Sequence, residues 1–341
     1  MNRKAWRMIP KAGSINNLTL VEEELVQPGE KEVTVEIKAI GLNFADIFTL
    51  FGLYGATPKG SFVPGLEYSG IVKEIGEGVS TCKPGDKVMG TTKFGAYTTH
   101  LNIEEDYLSP LPDDWSFEEG AAFVVQALTA YYALVRLADI QNGATVLIHS
   151  AAGGVGILAN RVAKKFGAYT IGTVSSNKKV DFLKKEGYDD VIVRGENFRK
   201  QLKSSLGDRE LNIVMDSIGG QIFRDSFRLL APEGRIIVYG SARYASTGKK
   251  PNIIKILKNY YTRPKVDPQG MVEWNKSIMG FNLIHLYHKK NVFNQALSDL
   301  YKLNIGKQFV GHTYTFENLK DAISMFQTGR TMGKVVVTVE N

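Results

Sequence analysis

The chain has 341 residues, 43% hydrophobic and 23% charged, with a formal net charge of +7, values that describe an ordinary soluble protein with room for two domains. Its single cysteine, Cys82, excludes an internal disulfide or a cysteine-rich zinc cluster and fits a reducing compartment. No apolar run approaches a membrane-spanning length, Met1 to Trp6 begin no signal-peptide core, and no basic stripe is interleaved with aromatics, so the cytoplasm is the expected location and no nucleic-acid partner is expected.

Residues 1–126 read as β structure. Glu32 to Lys38 and Ser69 to Gly76 alternate apolar and polar side chains, and Pro84-Gly85-Asp86 marks a turn into Lys87 to Gly90. A mostly antiparallel, barrel-like domain is predicted. From Ala127 strands alternate with helices, which implies a parallel sheet with helices on both faces and a ligand crevice at the carboxyl ends of the strands.

The stretch from Thr145 to Asp181 organises that second region. A β-branched strand, Thr145 to Ser150, meets a turn at Ala151 to Gly156, an apolar-periodic helix and a second strand, Thr170 to Val174. Gly153, Gly154, Val155 and Gly156 let the backbone approach a pyrophosphate at the helix N-terminus, although Ala151 stands where a dinucleotide fingerprint has its first glycine. A turn without a ligand is the alternative, and the strand-turn-helix context argues against it. An NAD site would carry an acid at the end of the second strand; here Val174 is followed by Ser175, Ser176, Lys178 and Lys179, and Arg194 follows Asp190 to Val193. Neutral donors and cations suit a 2′-phosphate, so the cofactor is read as NADP(H), and the positive net charge helps to collect it. Asp181 belongs to the next helix.

Further strands are predicted at Asn212 to Asp216 and Gly234 to Gly240, with a helix through Phe227 to Leu230 between them, and Lys276 to Phe281 is the expected last strand. Residues 283–341, closing on the strand from Lys334, are expected to return to the first domain. No internal repeat is evident.

Asn43 to Asp46 within Gly41-Leu-Asn-Phe-Ala-Asp, Pro64 to Gly70, Gly76 to Val79, Ala151 to Gly156 and Asp216 to Gly220 together resemble the medium-chain dehydrogenase/reductases, and within them the zinc-free quinone oxidoreductases. The tail, with Met279 to Asn282 and Gly333 to Val335, is most similar to the vesicle amine transport branch. The resemblance implies an α/β fold: a Rossmann-type, doubly wound parallel sheet over 127–282, inserted in a GroES-like, mostly antiparallel β-barrel domain formed by 1–126 and 283–341. It places Asn43, Leu66 and Val125 at the zinc-ligand positions of the family's alcohol dehydrogenases, where none binds zinc, and leaves the neighbouring acid, Glu67, without its partner in a structural role. His285 and His288 share a helical spacing with no nearby Cys or acid and are read as surface residues.

Without a metal, reduction of a simple ketone meets an alkoxide near the ~15.7 of water, whereas a quinone or an α,β-unsaturated carbonyl leaves a phenolate- or enolate-like oxygen nearer ~10. NADPH-dependent reduction of such conjugated carbonyls is therefore expected, with neutral donors at the oxygen. The resemblance assigns Asn43 to the nicotinamide ribose or the substrate oxygen, Asp46 to fixing the loop or moving a proton, and Tyr54 to polarising the acceptor or to rim packing. Phe48 stands where some quinone reductases carry a second tyrosine. Gln126 and Thr129 are placed near the carboxamide, and Gly240, Ser241, Phe281 and Asn282 along the nicotinamide.

Two partner expectations remain. Zinc-free members imply a homodimer through the strand near Ile278. Residues 249–265 interleave Ile253, Ile254, Ile256, Leu257, Tyr260 and Tyr261 with Lys255, Lys258, Arg263 and Lys265, which suits either an anionic membrane surface or an excursion of the cofactor domain packed beside the cleft or at a subunit contact. The alternative function is a membrane-associated or binding protein that keeps the dinucleotide fold with little turnover.

Overall fold

A computed structural model describes residues 1–340, which divide into two compact units. One comprises Met1–Val125, Ala245–Pro251 and the residues from Lys307 on; the other comprises Gln126–Tyr244 and Asn252–Gly306.

In the first unit β1 (Asn2–Met8) pairs antiparallel with β2 (Leu18–Glu24), and Arg3 and Arg7 both clasp Glu23 at 2.7 and 2.8 Å. Next comes β3 (Glu32–Gly41), followed by α1 (Phe44–Leu50), then β4 (Glu67–Ile75), β5 (Lys87–Thr91), β6 (His100–Glu104) and β7 (Leu108–Pro110). The alternation of β3 predicts one wet face, yet residues 33–37 are all buried. Strand β6 accounts for part of this: it pairs with β3, and Thr34 donates to Asn102 Oδ1 at 2.7 Å. The short helix α2 (Phe117–Ala121) is closed by a capping box between Ser116 and Glu119, and α3 (Val124–Tyr131) carries the chain into the second unit.

The second unit is built on six parallel strands: β8 (Thr145–Ile148), β9 (Tyr169–Val174), β10 (Asp190–Val193), β11 (Leu211–Asp216), β12 (Leu230–Val238) and β13 (Ser277–Gly280). Their order, β10-β9-β8-β11-β12-β13, reverses between β8 and β11, the switch point at which doubly wound sheets bind ligands. The connecting helices are α4 (Gly154–Lys165), α5 (Val180–Lys185), α6 (Phe198–Leu206) and α7 (Gly220–Leu229). Adjacent residues of β9 show the two covered faces. Ile171 joins a core with Leu147, Val214 and Ile236 under Phe198 and Leu202 of α6 and Phe223 of α7, whereas a Cβ at Gly172 would meet Leu183 of α5. After β12 come α8 (Ile253–Tyr261) and α9 (Pro268–Glu273), and after β13 comes α10 (Lys290–Leu303).

The chain rejoins the first unit later than the expected residue 283. Residues up to Gly306 stay with the second unit because the apolar stripe of α10, Phe293, Ala296, Leu297 and Leu300, is buried there and Asp299 accepts from the Tyr131 hydroxyl at 3.1 Å. Conversely, 245–251 belongs to the first unit, where the Lys249 carbonyl accepts from Ser14 Oγ and Ile15 N, each at 2.9 Å. From Lys307 follow β14 (Val310–Thr315), α11 (Leu319–Gln327) and β15 (Lys334–Thr338). Strand β15 pairs parallel with β14 and antiparallel with Ala39 to Gly41 of β3, completing a sheet ordered β14-β15-β3-β4-β5-β7, while β6 pairs with Glu32 to Glu36 on the same edge of β3 as β15.

Candidate functional site

The second unit presents a glycine turn between β8 and α4 at its switch point. Strand β8 ends at Ile148 and is followed by His149, Ser150 adopts a positive φ of 54°, and Gly153 is the N-cap of the twelve-residue α4. A non-glycine residue in that conformation marks a locally strained site. Gly156 is obligatory for packing: a Cβ there would lie 2.5 to 2.7 Å from the Ala151 backbone. Ala151, in place of the first glycine, is fully buried and ties the turn to β9 through its N–H on the Thr173 carbonyl at 3.1 Å. The turn, Gly153 to Gly156, thus aims the first N–H groups of α4 outward from the sheet edge, and the helix dipole favours an anion there.

Two cations converge beyond β9. Lys179 is 9% exposed at the end of a 3-10 turn capped by Ser176 Oγ, and its ammonium is pushed down by burial and by Arg194. Arg194 donates from Nη1 to the Thr173 carbonyl at 3.1 Å and to its hydroxyl at 2.7 Å, and burial lowers its guanidinium to about 10 while Asp216 opposes the shift. Ser175 is exposed and Ser176 half-buried beside them. The Arg194 charge thus disfavours the Lys179 ammonium, and an anion placed between the two would favour it.

Sequence reasoning missed what holds this place together. His149 bridges Thr173 Oγ at 2.9 Å and Ser226 Oγ at 3.0 Å, and burial drops its imidazole to about 3, so it is a neutral pin. Asp216 accepts from Ile218 N and Gly219 N at 2.8 and 3.1 Å, shaping the turn after β11. A lone His ending an apolar strand carries no sequence signal that distinguishes it from a ligand or a core residue.

The other expected cofactor residues occupy the same unit. Gly240 lies over Ser217, where a Cβ would be 3.3 Å away, and Ser217 Oγ donates to Ser150 Oγ at 3.1 Å. Ser241 follows β12, and Phe281 follows β13, where its N–H binds the Val238 carbonyl at 3.2 Å and its ring meets Tyr132 and Tyr239 with centroids 5.0 and 6.5 Å away. Asn282 caps the next turn, which contains His285 but not His288, so the pair shares no α-helical face. Gln126 and Thr129 are buried in α3.

The first unit gathers Asn43, Asp46 and Glu67 but not as separate catalytic groups. Glu67 is not without a partner, as the resemblance implies: Lys334, at the start of β15, binds its Oε2 at 2.6 Å, both side chains being almost wholly buried. Lys334 also donates to Asn43 Oδ1 at 3.0 Å, Asn43 Nδ2 donates to the Gly41 carbonyl at 3.1 Å and to Glu67 at 3.3 Å, and Val125 N donates to Glu67 Oε1 at 2.8 Å. Burial pushes the Glu67 carboxyl up and the Lys334 ammonium down, and each charge offsets part of the other's shift. Asp46 Oδ2 accepts from Asn43 N at 2.7 Å to cap α1, and burial raises its carboxyl to about 7. The fully buried Tyr97 phenol lies against Asp46, and burial and that carboxyl push it well above its ordinary range. Tyr54 is half-buried in the turn after α1, where its carbonyl accepts from Thr57 N at 2.9 Å, and Phe48 meets Phe44 edge to face at 5.7 Å.

Comparison with known proteins now has a geometry to be set beside. Residues 29–113 match the alcohol dehydrogenase GroES-like domain and residues 154–302 match the zinc-binding dehydrogenase family. Quinone oxidoreductase 1 of Escherichia coli is 33% identical over 328 residues, covering 95% of this chain and 96% of its own. The chain belongs to the medium-chain dehydrogenase/reductase superfamily. The synaptic vesicle membrane protein VAT-1 homolog of Danio rerio is 32% identical over 91% of this chain, which spans 64% of that relative's length. The crystal structure of E. coli quinone oxidoreductase complexed with NADPH superposes with a TM-score of 0.82 at 30% identity, covering 99% of this chain and 100% of that one.

The family's zinc does not fit this member. Of the three positions matching zinc ligands, Leu66 and Val125 have apolar side chains and Asn43 turns its amide oxygen onto the Lys334 ammonium. Among the described residues no three His, Cys, Asp or Glu side chains are grouped so that they could hold a metal ion. An internal ammonium thus satisfies the acid that stands beside the metal in zinc-dependent members.

Proposed function

We propose that this medium-chain dehydrogenase/reductase is an NADP(H)-dependent, zinc-independent reductase of quinones or α,β-unsaturated carbonyls. The observation that carries the cofactor is the convergence of Lys179 and Arg194 behind a strand that ends without an acid. Those cations take the 2′-phosphate through charge-assisted bonds, and the N–H groups of Gly154 to Gly156 take the pyrophosphate. Gly240, Ser241, Phe281 and Asn282 line the nicotinamide end, with Gln126 and Thr129 as partners for the carboxamide. When bound, NADPH supplies the hydride.

The first unit's charge balance supports this substrate class. Glu67 is already neutralised by Lys334 and the Asn43 amide is spent on Lys334, Glu67 and Gly41. Asn43 is therefore proposed as a positioning residue rather than an oxygen donor, Asp46 as the cap that fixes α1, and Tyr54 as the group that polarises the acceptor oxygen. A neutral phenol suits a phenolate- or enolate-like oxygen of matched pKa, near ~10, and falls far short for an alkoxide. The E. coli relative named a quinone oxidoreductase supports the same substrate class. The reading places the protein in the cytoplasm as a homodimer paired through the edge strand β13.

The experiment is NADPH oxidation with a panel of quinones, alkenals and simple aldehydes. Turnover with the conjugated acceptors and none with simple aldehydes is expected. Tight NADPH binding with turnover of none would instead favour a binding protein, the reading to which the resemblance to vesicle-protein relatives lends weight.

A further inference from the structure

Helix α8 is mounted with its polar side inward. In helical projection Ile253, Leu257 and Tyr260 share one side, flanked by Ile254, Tyr261 and Ile256, while Lys255 and Asn259 lie opposite. The opposite side makes the attachment. Asn259 Oδ1 accepts from Arg243 Nη2 at 3.0 Å, its Nδ2 donates to the Arg243 carbonyl at 2.6 Å, and the Tyr244 hydroxyl donates to the Asn259 carbonyl at 3.2 Å. Arg243 Nη2 also donates to Thr262 Oγ at 2.9 Å, just past the helix end.

The apolar side is left to the outside. No residue of α8 is buried; Ile254 is 82% exposed, Tyr261 76%, and Ile253, Leu257 and Tyr260 at least half. Val272 at the end of α9 and Trp274 just beyond it, 71% and 60% exposed, extend the same character along the chain. Among the described residues of the second unit, the only other large hydrophobic side chain so exposed is Tyr301. Such clustering marks a surface that meets something apolar.

Charge decides what that is. Lys258, Arg263 and Lys265 edge the apolar residues, and from 252 to 274 four Lys and Arg stand against two acids, Asp267 and Glu273. Arg263 is held over the Tyr260 ring at 3.9 Å and donates to the Tyr260 carbonyl at 2.7 Å. A second copy applied to this face by a twofold axis would bring two net-positive segments together. Apolar and aromatic side chains bordered by cations match instead the boundary between acyl chains and anionic headgroups. We propose that the exposed face of α8, with Val272 and Trp274, lies in the interface of an anionic phospholipid bilayer. This placement is independent of the reductase reading.

The test sediments the full-length protein with vesicles of phosphatidylcholine alone and of phosphatidylcholine mixed with phosphatidylserine. Binding to the mixed vesicles, weakened by added salt and accompanied by a blue shift of tryptophan emission that Trp274→Phe removes, is expected. The double variant Ile254→Asp/Tyr261→Asp, altered only at exposed positions, is expected to keep its thermal transition and lose binding. The triple variant Lys258→Ala/Arg263→Ala/Lys265→Ala is expected to bind about a hundredfold more weakly, the order of effect of three cations near such a surface. Equal or absent binding to the two vesicle types, or full binding by the double variant, overturns the proposal. So does a lower mass of the vesicle-free double variant relative to the unaltered protein, which would assign the face to a second copy.

Discussion

Lys334 bears on both the stability and the chemistry of the first unit. Its ammonium is the cation that neutralises Glu67 and accounts for the Asn43 amide oxygen. Replacing it with methionine leaves a buried carboxylate facing an apolar chain, so Lys334→Met is expected to lower the unfolding free energy by about 3–5 kcal/mol, and Lys334→Met/Glu67→Gln by less. Denaturant midpoints check both. At the cofactor end, Lys179→Ala removes one charge-assisted contact of about 1.5–3 kcal/mol, predicting about ten- to hundredfold weaker NADPH binding with NADH binding little changed; calorimetry with the two dinucleotides checks it. An unaltered preference would refute the 2′-phosphate assignment. Asp46 predicts a pH dependence. Its carboxyl rises from 3.8 to about 7 on folding, so across that window the folded chain keeps a proton the unfolded chain has released, and stability falls as pH rises. His149, lowered from 6.5 to about 3, gives the opposite slope, since the unfolded chain binds the extra proton. The informative quantity is therefore a difference: Asp46→Asn, measured by urea unfolding at several pH values, is expected to gain stability relative to the unaltered chain between about pH 4 and 7.

The helix that follows the glycine turn is held by backbone approach as much as by side chains. Because a Cβ at Gly156 would meet the Ala151 backbone at 2.5 to 2.7 Å, Gly156→Ala must displace the first turn of α4 from β8. Overpacking of this kind costs about 1–3 kcal/mol, and the displaced N–H groups are expected to lose NADPH affinity by at least tenfold, read by cofactor titration alongside the melting curve. The element level is also where periodicity speaks clearly: strand, turn and helix from Thr145 onward lie where the pattern puts them, as does β13 within Lys276 to Phe281. It is less clear for β3, whose polar residues are buried by a neighbour the local sequence does not specify. For α8 the amphipathic pattern is legible, but it leaves open whether the apolar side packs inward or faces out. The attachment through Asn259 and Arg243 decides that it faces out.

Across the whole molecule, the chain leaves one unit and returns to it twice, at Ala245–Pro251 and from Lys307 on. The second sheet ends at β13, whose outer side is unpaired within the chain. Sedimentation equilibrium is expected to give twice the mass of one chain, because pairing that edge removes exposed N–H and C=O groups; a single-chain mass at micromolar concentration would reject the pairing. The sequence by itself determined the class of each region and the strand, glycine turn and helix that open the second sheet, because backbone periodicity and glycine freedom are local properties. Only the tertiary structure decided that Lys334 partners Glu67 from 267 residues away, that Arg194 and Lys179 converge, and that α10 stays with the second unit. Those outcomes depend on which distant side chain supplies a buried charge or an apolar stripe with its counterpart, and nothing in a local pattern encodes that pairing.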